Sequence, residues 1–289
     1  MRVLITGGAG FLGRALAKRA RAAGHEVTAT DLKRGDVLCD LADTAEVWAM
    51  VTKAAPEVVV HLAAILTDAS QANPVRAAQI NAAGTAAVFD SAMRAKAKRI
   101  VYASSIAAVG PCAEGSGDDV ALNPGTVYGV TKAFGEQLAR ILSGLPDAPA
   151  FLALRFGWIY GAGRDRGWRP GQEVIERFAR GDVEVPYPDF KEAMDWTYVD
   201  DAVEVLMRAI DHPLSGAFNV FNAVGDRRML ADAVAHLRRH FPEARAKSYP
   251  APAPAADSGL RNDRLEAALG YAPETPLEEG IDRMLGLRR

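Results

Sequence analysis

The chain has 289 residues, 49% of them hydrophobic, and a formal charge of −2. So even a balance gives no electrostatic case for a nucleic-acid or membrane-surface partner. Two cysteines, Cys39 and Cys112, fall far short of a disulfide framework and fit a reducing compartment, so a cytoplasmic location is expected.

The length suits one large domain with a smaller lobe. The apolar start, Val3-Leu4-Ile5, is broken at once by Gly7, Gly8 and Gly10, so it does not read as a signal peptide. No later apolar run is long enough to span a bilayer. No metal is expected.

Arg2 to Thr6 reads as a short buried strand, and Gly7-Gly8-Ala9-Gly10-Phe11-Leu12-Gly13 follows without pause. Arg14 to Ala23 reads as a helix closed by Gly24. Glu26 to Thr30 is a second strand ending on Asp31. A β-α-β unit with glycines at its first turn and an acid after its second strand has the parts of a dinucleotide site. The spacing is GxxGxxG (Gly7, Gly10, Gly13) rather than GxGxxG, but the physics is shared. Glycine permits the tight turn and a close approach to a pyrophosphate resting on free N–H groups at a helix start. A carboxylate at Asp31 accepts from both ribose hydroxyls and repels a 2′-phosphate, which favours NAD over NADP. Lys33 and Arg34 read as solvated loop charge.

A third strand over 36–39 leads to Asp40-Leu41, and Val47 to Ala54 is helical. Val58 to Ala64 is a continuous apolar run, a strand buried on both faces, in which His61 reads as a satisfied core histidine. Pro74 opens a long helix through about Arg94, with Asn81 and Gly84 inside it against their propensity. Arg99 to Ser105 is the fifth strand, its two serines at the carboxyl end that faces the crevice. Asp118 to Gly125 is a loop, and Cys112 before it reads as a small buried hydrophobe. Tyr128 opens a helix through about Ser143. Tyr128 and Lys132 share one face of it, and an ammonium near a phenol favours phenolate. The phenol pKa is therefore expected below its free value of about 10, suited to proton exchange with an alcohol or carbonyl.

Phe151 to Phe156 is the sixth strand, and Gly163 to Gly171 a substrate-side loop. Gln172 to Arg180 and Val199 to Ile210 are helices. Val183 to Pro186 and Ala217 to Asn222 are strands. From about Met229 the chain alternates helix and loop, and Tyr249 to Ala256 reads as an extended Pro/Ala connector.

In combination these stretches resemble the extended short-chain dehydrogenase/reductase superfamily, in its NAD-dependent epimerase/dehydratase-like branch. The likeness is carried by residues 6–13, Asp40-Leu41, His61 to Ala64, Asn81 to Thr85, Tyr102 to Ser105 and Tyr128 to Lys132. Leu154-Arg155-Phe156 with Tyr160-Gly161, Val199 to Ala202, and Leu269-Gly270-Tyr271 with Leu277 to Gly280 carry it further, over nearly the whole chain. The resemblance implies an α/β fold, a doubly wound parallel Rossmann-type sheet with a small discontinuous C-terminal substrate lobe. The NAD domain would take residues 1–156 and about 197–222, and the lobe about 157–196 and 223–289. It implies an NAD-dependent oxidoreductase that transfers hydride between a hydroxyl/carbonyl carbon and nicotinamide. Tyr128 would be the general acid/base. Lys132 would lower its pKa and bind the nicotinamide ribose. Ser105 would hydrogen-bond the reacting oxygen, with Ser104 turned to the opposite side. Gly7, Gly10, Phe11, Leu12, Gly13, Asp31, Asp40, Leu41, Ala63, Ala64 and Asn81 would line the cofactor. A homodimer through the helices that start near Pro74 and Tyr128 is also implied.

The departures narrow the substrate. Dehydratases of the branch carry Thr-Asp-Glu where this chain has Ser105-Ile106-Ala107. Nucleotide-sugar epimerases place Asn at Trp158 and Arg at Met194, groups that hold a diphosphate, which binds badly without such donors. A small polyhydroxylated or hydroxy-acid substrate is therefore favoured. The candidate contacts are Ser105, Arg155, Trp158, Arg164, Arg166, Arg169 and Lys191, whose arginines offer a bidentate fork to a carboxylate. The alternatives are a sugar epimerase that retains NAD and a non-catalytic NAD(P)-sensing protein.

Overall fold

The computed structural model describes residues 1–251 and 259–287. The chain opens with β1 (Arg2–Thr6), α1 (Phe11–Ala22), β2 (Glu26–Asp31), β3 (Val37–Leu38), α2 (Thr44–Ala54) and β4 (Val58–His61). The Asp43 carboxylate caps α2 by accepting from the N–H groups of Ala45 and Glu46. Next come α3 (Thr67–Ala72), α4 (Pro74–Ala77), a π-helical segment (Ala78–Gly84) and α5 (Thr85–Arg94). They are followed by β5 (Arg99–Ser105), α6 (Ile106–Val109), α7 (Val127–Leu142) and β6 (Ala150–Phe156). The second half holds β7 (Trp158–Tyr160), α8 (Pro170–Ala179), β8 (Glu184–Asp189), β9 (Met194–Tyr198), α9 (Val199–Asp211) and β10 (Phe218–Ala223). It closes with β11 (Asp226–Arg228), α10 (Leu230–His240), β12 (Arg245–Pro250), α11 (Asp263–Leu269) and α12 (Leu277–Leu285).

Among the described residues, seven parallel strands make one sheet in the order β10-β6-β5-β4-β1-β2-β3. Alternation along each central strand builds the two faces. Val3 and Ile5, Val58 and Val60, and Val101 and Ala103 join a core with Leu16 of α1 and Leu206 of α9. Leu4, Val59, Ile100 and Tyr102 join a second core with Val47 of α2 and Phe89 of α5. Strands covered on both faces need apolar residues at every position, and these runs supply them. The strand order reverses between β1 and β4, so the crevice for a ligand lies where their carboxyl ends part. No helix among the described residues is long and apolar enough to cross a membrane.

Two small sheets, β11-β9-β7 and β12-β8, lie beyond the main one. The first has no counterpart in the sequence expectations, which left its strands unassigned. Its pieces are three to five residues long and gain order from an aromatic cluster rather than from pattern. The Trp158 and Trp196 rings stand edge to face at 4.6 Å, and Tyr160 stacks on Trp158 at 5.9 Å. The Pro/Ala stretch also differs. Tyr249 and Pro250 end β12, paired with Pro188 and Asp189 of β8, and residues 252–256 lie outside the described residues.

The helix expected from Pro74 to Arg94 is interrupted in a specific way. Its middle, with Asn81 and Gly84, winds as π-helix, a form that recurs at functional sites. A Cβ on Gly84 would stand 2.8 Å from the Leu41 carbonyl oxygen, so this turn presses directly on the segment after β3. The residues that broke the propensity rule make specific contacts, Gly84 with Leu41 and Asn81 with Ile65 and Thr131.

Candidate active site

The glycine turn sits at the reversal of strand order. Gly7 has φ +70°, and a Cβ there would stand 2.8 Å from the Ala63 amide nitrogen at the exit of β4. A Cβ on Gly13 would strike the Gly7 carbonyl oxygen. The turn is thus closed to any side chain, and it folds tightly by the Gly10 N–H to Gly7 O bond of 2.9 Å. Gly10 is the N-cap of α1 and brings no side chain to cap it, which leaves the helix start to an anion. The Asp31 carboxylate ends β2 beside this turn, accepting from Ala9 N at 3.2 Å and Leu32 N at 2.8 Å. A carboxylate has further acceptor sites, so it can serve a ribose as well. Asp40 accepts from Arg76 at 3.1 Å and from Ala42 N, and these bonds hold its carboxyl below the usual range. Leu41 is buried beneath Gly84, while Lys33 and Arg34 are exposed.

The far wall is a chain of satisfied polar groups. The Asn81 side chain accepts from Ile65 N at 2.7 Å and donates to Ile65 O at 2.9 Å and to Thr131 Oγ1 at 3.2 Å. Asn81 was expected to line the cofactor. Its amide pins the segment after Ala63 and Ala64 to α7, so it positions that wall. His61 is a core histidine. Thr85 Oγ1 donates to the Asn81 carbonyl, so it accepts from His61 Nε2 at 2.9 Å, and His61 Nδ1 accepts from Thr6 Oγ1 at 2.6 Å. Burial pushes its pKa down to about 3, so the ring is neutral.

Ser105, Tyr128 and Lys132 come together where β5 meets α7. The Ser105 hydroxyl caps α6, accepting from Ala107 N at 3.2 Å, and hydrogen-bonds the Tyr128 phenol. Thr126 caps α7, its hydroxyl accepting from Gly129 N at 3.0 Å, which starts the helix in register for Tyr128. Lys132 is buried. Its Nζ donates to Ala103 O at 2.6 Å and lies 5.5 Å from the centre of the Tyr128 ring. The electrostatics overturn one expectation. Tyr128 is pushed up to about 12, not below 10, because desolvation outweighs the Ser105 hydrogen bond and the charge of Arg164. Burial also pushes Lys132 down to about 7 despite Glu136. Arg164 adds a charge that favours the phenolate, while the Lys132 ammonium stands over the ring.

Below this triad lies a buried network missing from the sequence expectations. Glu136, one turn after Lys132, accepts from Ser104 Oγ at 2.5 Å and from Arg155 Nη2 at 2.8 Å and Nε at 3.0 Å. Arg155 also donates to Asp118 O at 2.9 Å. Arg155 was expected to meet substrate. It is 3% exposed and spent on Glu136, so it ties β6 to α7 instead. The signal was the i, i+4 spacing of Lys132 and Glu136 on the buried face of α7. Ser104 and Ser105 divide as alternation requires, one to Glu136 and the other to Tyr128.

The remaining candidate contacts separate cleanly. Lys191 is exposed and pairs with Asp189 at 2.7 Å, and Arg169 pairs with Glu176 at 2.6 Å. Arg166 is exposed on the loop surface. Arg164 lies over the Trp158 ring at 5.2 Å and donates to the carbonyls of Ile159 and Trp168. Its charge reaches Tyr128, and burial lowers its own pKa to about 10. Trp158 Nε1 donates to Trp168 O at 2.9 Å, which fixes the ring that Arg164 covers. Cys112 packs half-buried against the cluster of Ile106 and Val109.

A parallel sheet in this order, with a glycine turn at its reversal and a Ser-Tyr-Lys group on β5 and α7, defines a Rossmann-type enzyme of the short-chain dehydrogenase/reductase kind. Residues 3–223 match the model of the NAD dependent epimerase/dehydratase family, and the chain belongs to that family. It is 30% identical to a UDP-glucose 4-epimerase of Mycolicibacterium smegmatis, over 97% of this chain and 96% of that protein. It is 29% identical to a 3-diazoavenalumate denitrifying reductase of a Streptomyces species, over 98% of this chain and all of the relative. Among solved structures, MoeE5 in complex with UDP-glucuronic acid and NAD superposes with a TM-score of 0.86 at 25% identity, covering 99% and 98% of the two chains. NAD is accordingly the cofactor. The residues present fit it, since the turn that a Cβ would fill, the uncapped start of α1 and the Asp31 carboxylate stand together.

Proposed function

We propose that this chain is an NAD-dependent dehydrogenase of a small hydroxylated acid, a hydroxy acid or sugar acid. The observation that carries it is the meeting of the Ser105 and Tyr128 hydroxyls within reach of the Arg164 charge. Bound NAD supplies two-electron chemistry, taking hydride from the hydroxyl-bearing carbon or returning it to the carbonyl. Tyr128 takes the proton from that hydroxyl, or returns it. Ser105 holds the reacting oxygen against Tyr128. Lys132 holds the ribose next to the nicotinamide. Arg164 attracts the substrate carboxylate, and Trp158 supports Arg164 from below. Met194, 4% exposed, fills the place where a diphosphate-binding arginine was sought. This supports a small substrate over a nucleotide sugar.

The full-length likeness to a UDP-glucose 4-epimerase supports a second reading, in which NAD is retained through turnover. A screen of hydroxy acids, sugar acids, aldoses and UDP-sugars with free NAD separates the two. Accumulation of NADH in excess over enzyme is expected with an acid. Interconversion of a UDP-sugar without NADH would replace the dehydrogenase with the epimerase. A pure sensor has no need of the triad, and silence toward every substrate in the screen would favour it.

Asp31 is expected to select NAD over NADP. Asp31→Ala should weaken NAD and narrow the preference by about 1–3 kcal/mol, the scale of hydrogen bonds to a charged group. Titration of both cofactors against both proteins checks this, and equal wild-type affinities would refute it.

A homodimer is proposed through α7 and the helical stretch from Pro74. Val130, Phe134 and Ile141 are 54%, 41% and 68% exposed and fall along one stripe of α7, with Val75 at 68% on α4. Such a stripe calls for a partner surface, and a two-fold axis supplies one. Light scattering should give twice the chain mass, and Phe134→Glu should shift it toward monomer. A wild-type monomer at micromolar concentration would rule the dimer out.

A further inference from the structure

We infer that α10 and α12 together form a binding site for a transition-metal cation such as Zn²⁺, apart from the Ser105, Tyr128 and Lys132 group. His236 and His240 lie one turn apart on α10, so both imidazoles leave the same face of the helix. Asp282 of α12 meets them. Its Oδ1 is 2.7 Å from His236 Nε2 and 3.4 Å from His240 Nε2, and the three ligand atoms all lie within 4.8 Å of one another. The two rings stand 4.9 Å apart at 67°.

A hydrogen-bonded helix contact needs one imidazole on a carboxylate oxygen. Here two converge on the same oxygen, which is the nitrogen-and-oxygen donor set of a borderline cation. Tetrahedral zinc, with bonds of about 2.0–2.1 Å, places its ligand atoms about 3.3 Å apart. The separations to Asp282 already bracket that value, so modest side-chain rotation completes three ligands, with water as the fourth. The site is set firmly and is reachable. His236 and Asp282 are 8% and 5% exposed, while the His240 side chain is one-third exposed and opens the cluster to solvent. Two ligands one turn apart on one helix and a third from another make the ion a cross-link between α10 and the last helix of the chain. No part of this inference depends on the proposed substrate.

The test uses the whole chain without an affinity tag, stripped with chelator and titrated calorimetrically with Zn²⁺. One saturable site per chain is expected, with a higher melting temperature when zinc is bound. Co²⁺ should give visible absorption bands of a nitrogen- and oxygen-ligated ion. His240→Ala changes the most exposed ligand and should fold as the wild type does by circular dichroism. It should lose affinity by about tenfold or more, the scale on which supporting groups alter metal affinity. Asp282→Asn should lose it as well, and if that variant fails to fold, His240→Ala decides. Absence of a saturable site in the wild type, or zinc affinity unchanged in His240→Ala, would overturn the inference.

Discussion

Tyr128→Phe should lower turnover by about 10²–10⁴, the worth of a positioned proton-transfer group. NAD affinity and melting temperature should stay close to wild type, since only one oxygen is lost. The phenol bonds Ser105 and feels Arg164, so the substitution removes the proton carrier and leaves its neighbours in place. The pH profile carries more information than the rate. Burial raises Tyr128 to about 12, so the phenolate needed for alcohol oxidation is a minor form at neutral pH and gains population as pH rises. Oxidation should therefore quicken with pH through the alkaline range, with no plateau near neutrality. Arg164→Gln should move this limb to still higher pH, because a cation that favours phenolate is gone. Lys132→Met should be at least as severe as Tyr128→Phe in rate, and the combined variant should not show the product of the two effects. A Tyr128→Phe enzyme with near-normal turnover would remove Tyr128 from the mechanism.

The second large effect is on stability. Glu136→Ala should destabilise the protein by about 3–5 kcal/mol, because it strands the buried Arg155 charge. The pair is only 4% exposed on either side and is bidentate, with Ser104 as a third member. Thermal unfolding should fall on the order of 10 °C for a chain of this size. The double variant Glu136→Gln with Arg155→Met removes both charges and should recover much of the loss, since the penalty belongs to the unpaired ion. A Glu136→Ala melting temperature equal to wild type would mean that water reaches Arg155. Because Ser104 precedes Ser105 and Lys132 precedes Glu136 by one turn, activity should fall along with stability.

The parts legible in the sequence are those where local pattern and global position agree. Strand β5 was expected over Arg99 to Ser105 and forms there. The glycine turn, the neutral core His61 and the placing of Tyr128 near a helix start were equally readable. What escaped depends on partners distant in the chain. An arginine within Leu-Arg-Phe does not reveal whether it meets substrate or an acid, and Glu136 decides that from 19 residues away. The direction of the Tyr128 shift escaped for the same reason. Proximity to Lys132 is written in the spacing, whereas desolvation is a property of the packed crevice. Strands β7, β9 and β11 are held by tryptophans that meet only after folding, so no periodicity announces them.

The path of the chain through its sheets bears on how the protein is made. Strand β10 pairs with β6, but β7, α8, β8, β9 and α9 come between them in sequence. During synthesis the main sheet therefore stays open along β6 until residue 223 has left the ribosome. By then β7 and β9 are already present and able to pair, while β11 has still to emerge. The Rossmann half cannot finish early and wait for the rest, so the two sides of the crevice mature together and late. Pairings this far apart in sequence are slow to form, and the open β6 edge is meanwhile a template for a neighbouring chain. Chaperone demand during expression should then be concentrated in the window between emergence of β6 and emergence of β10.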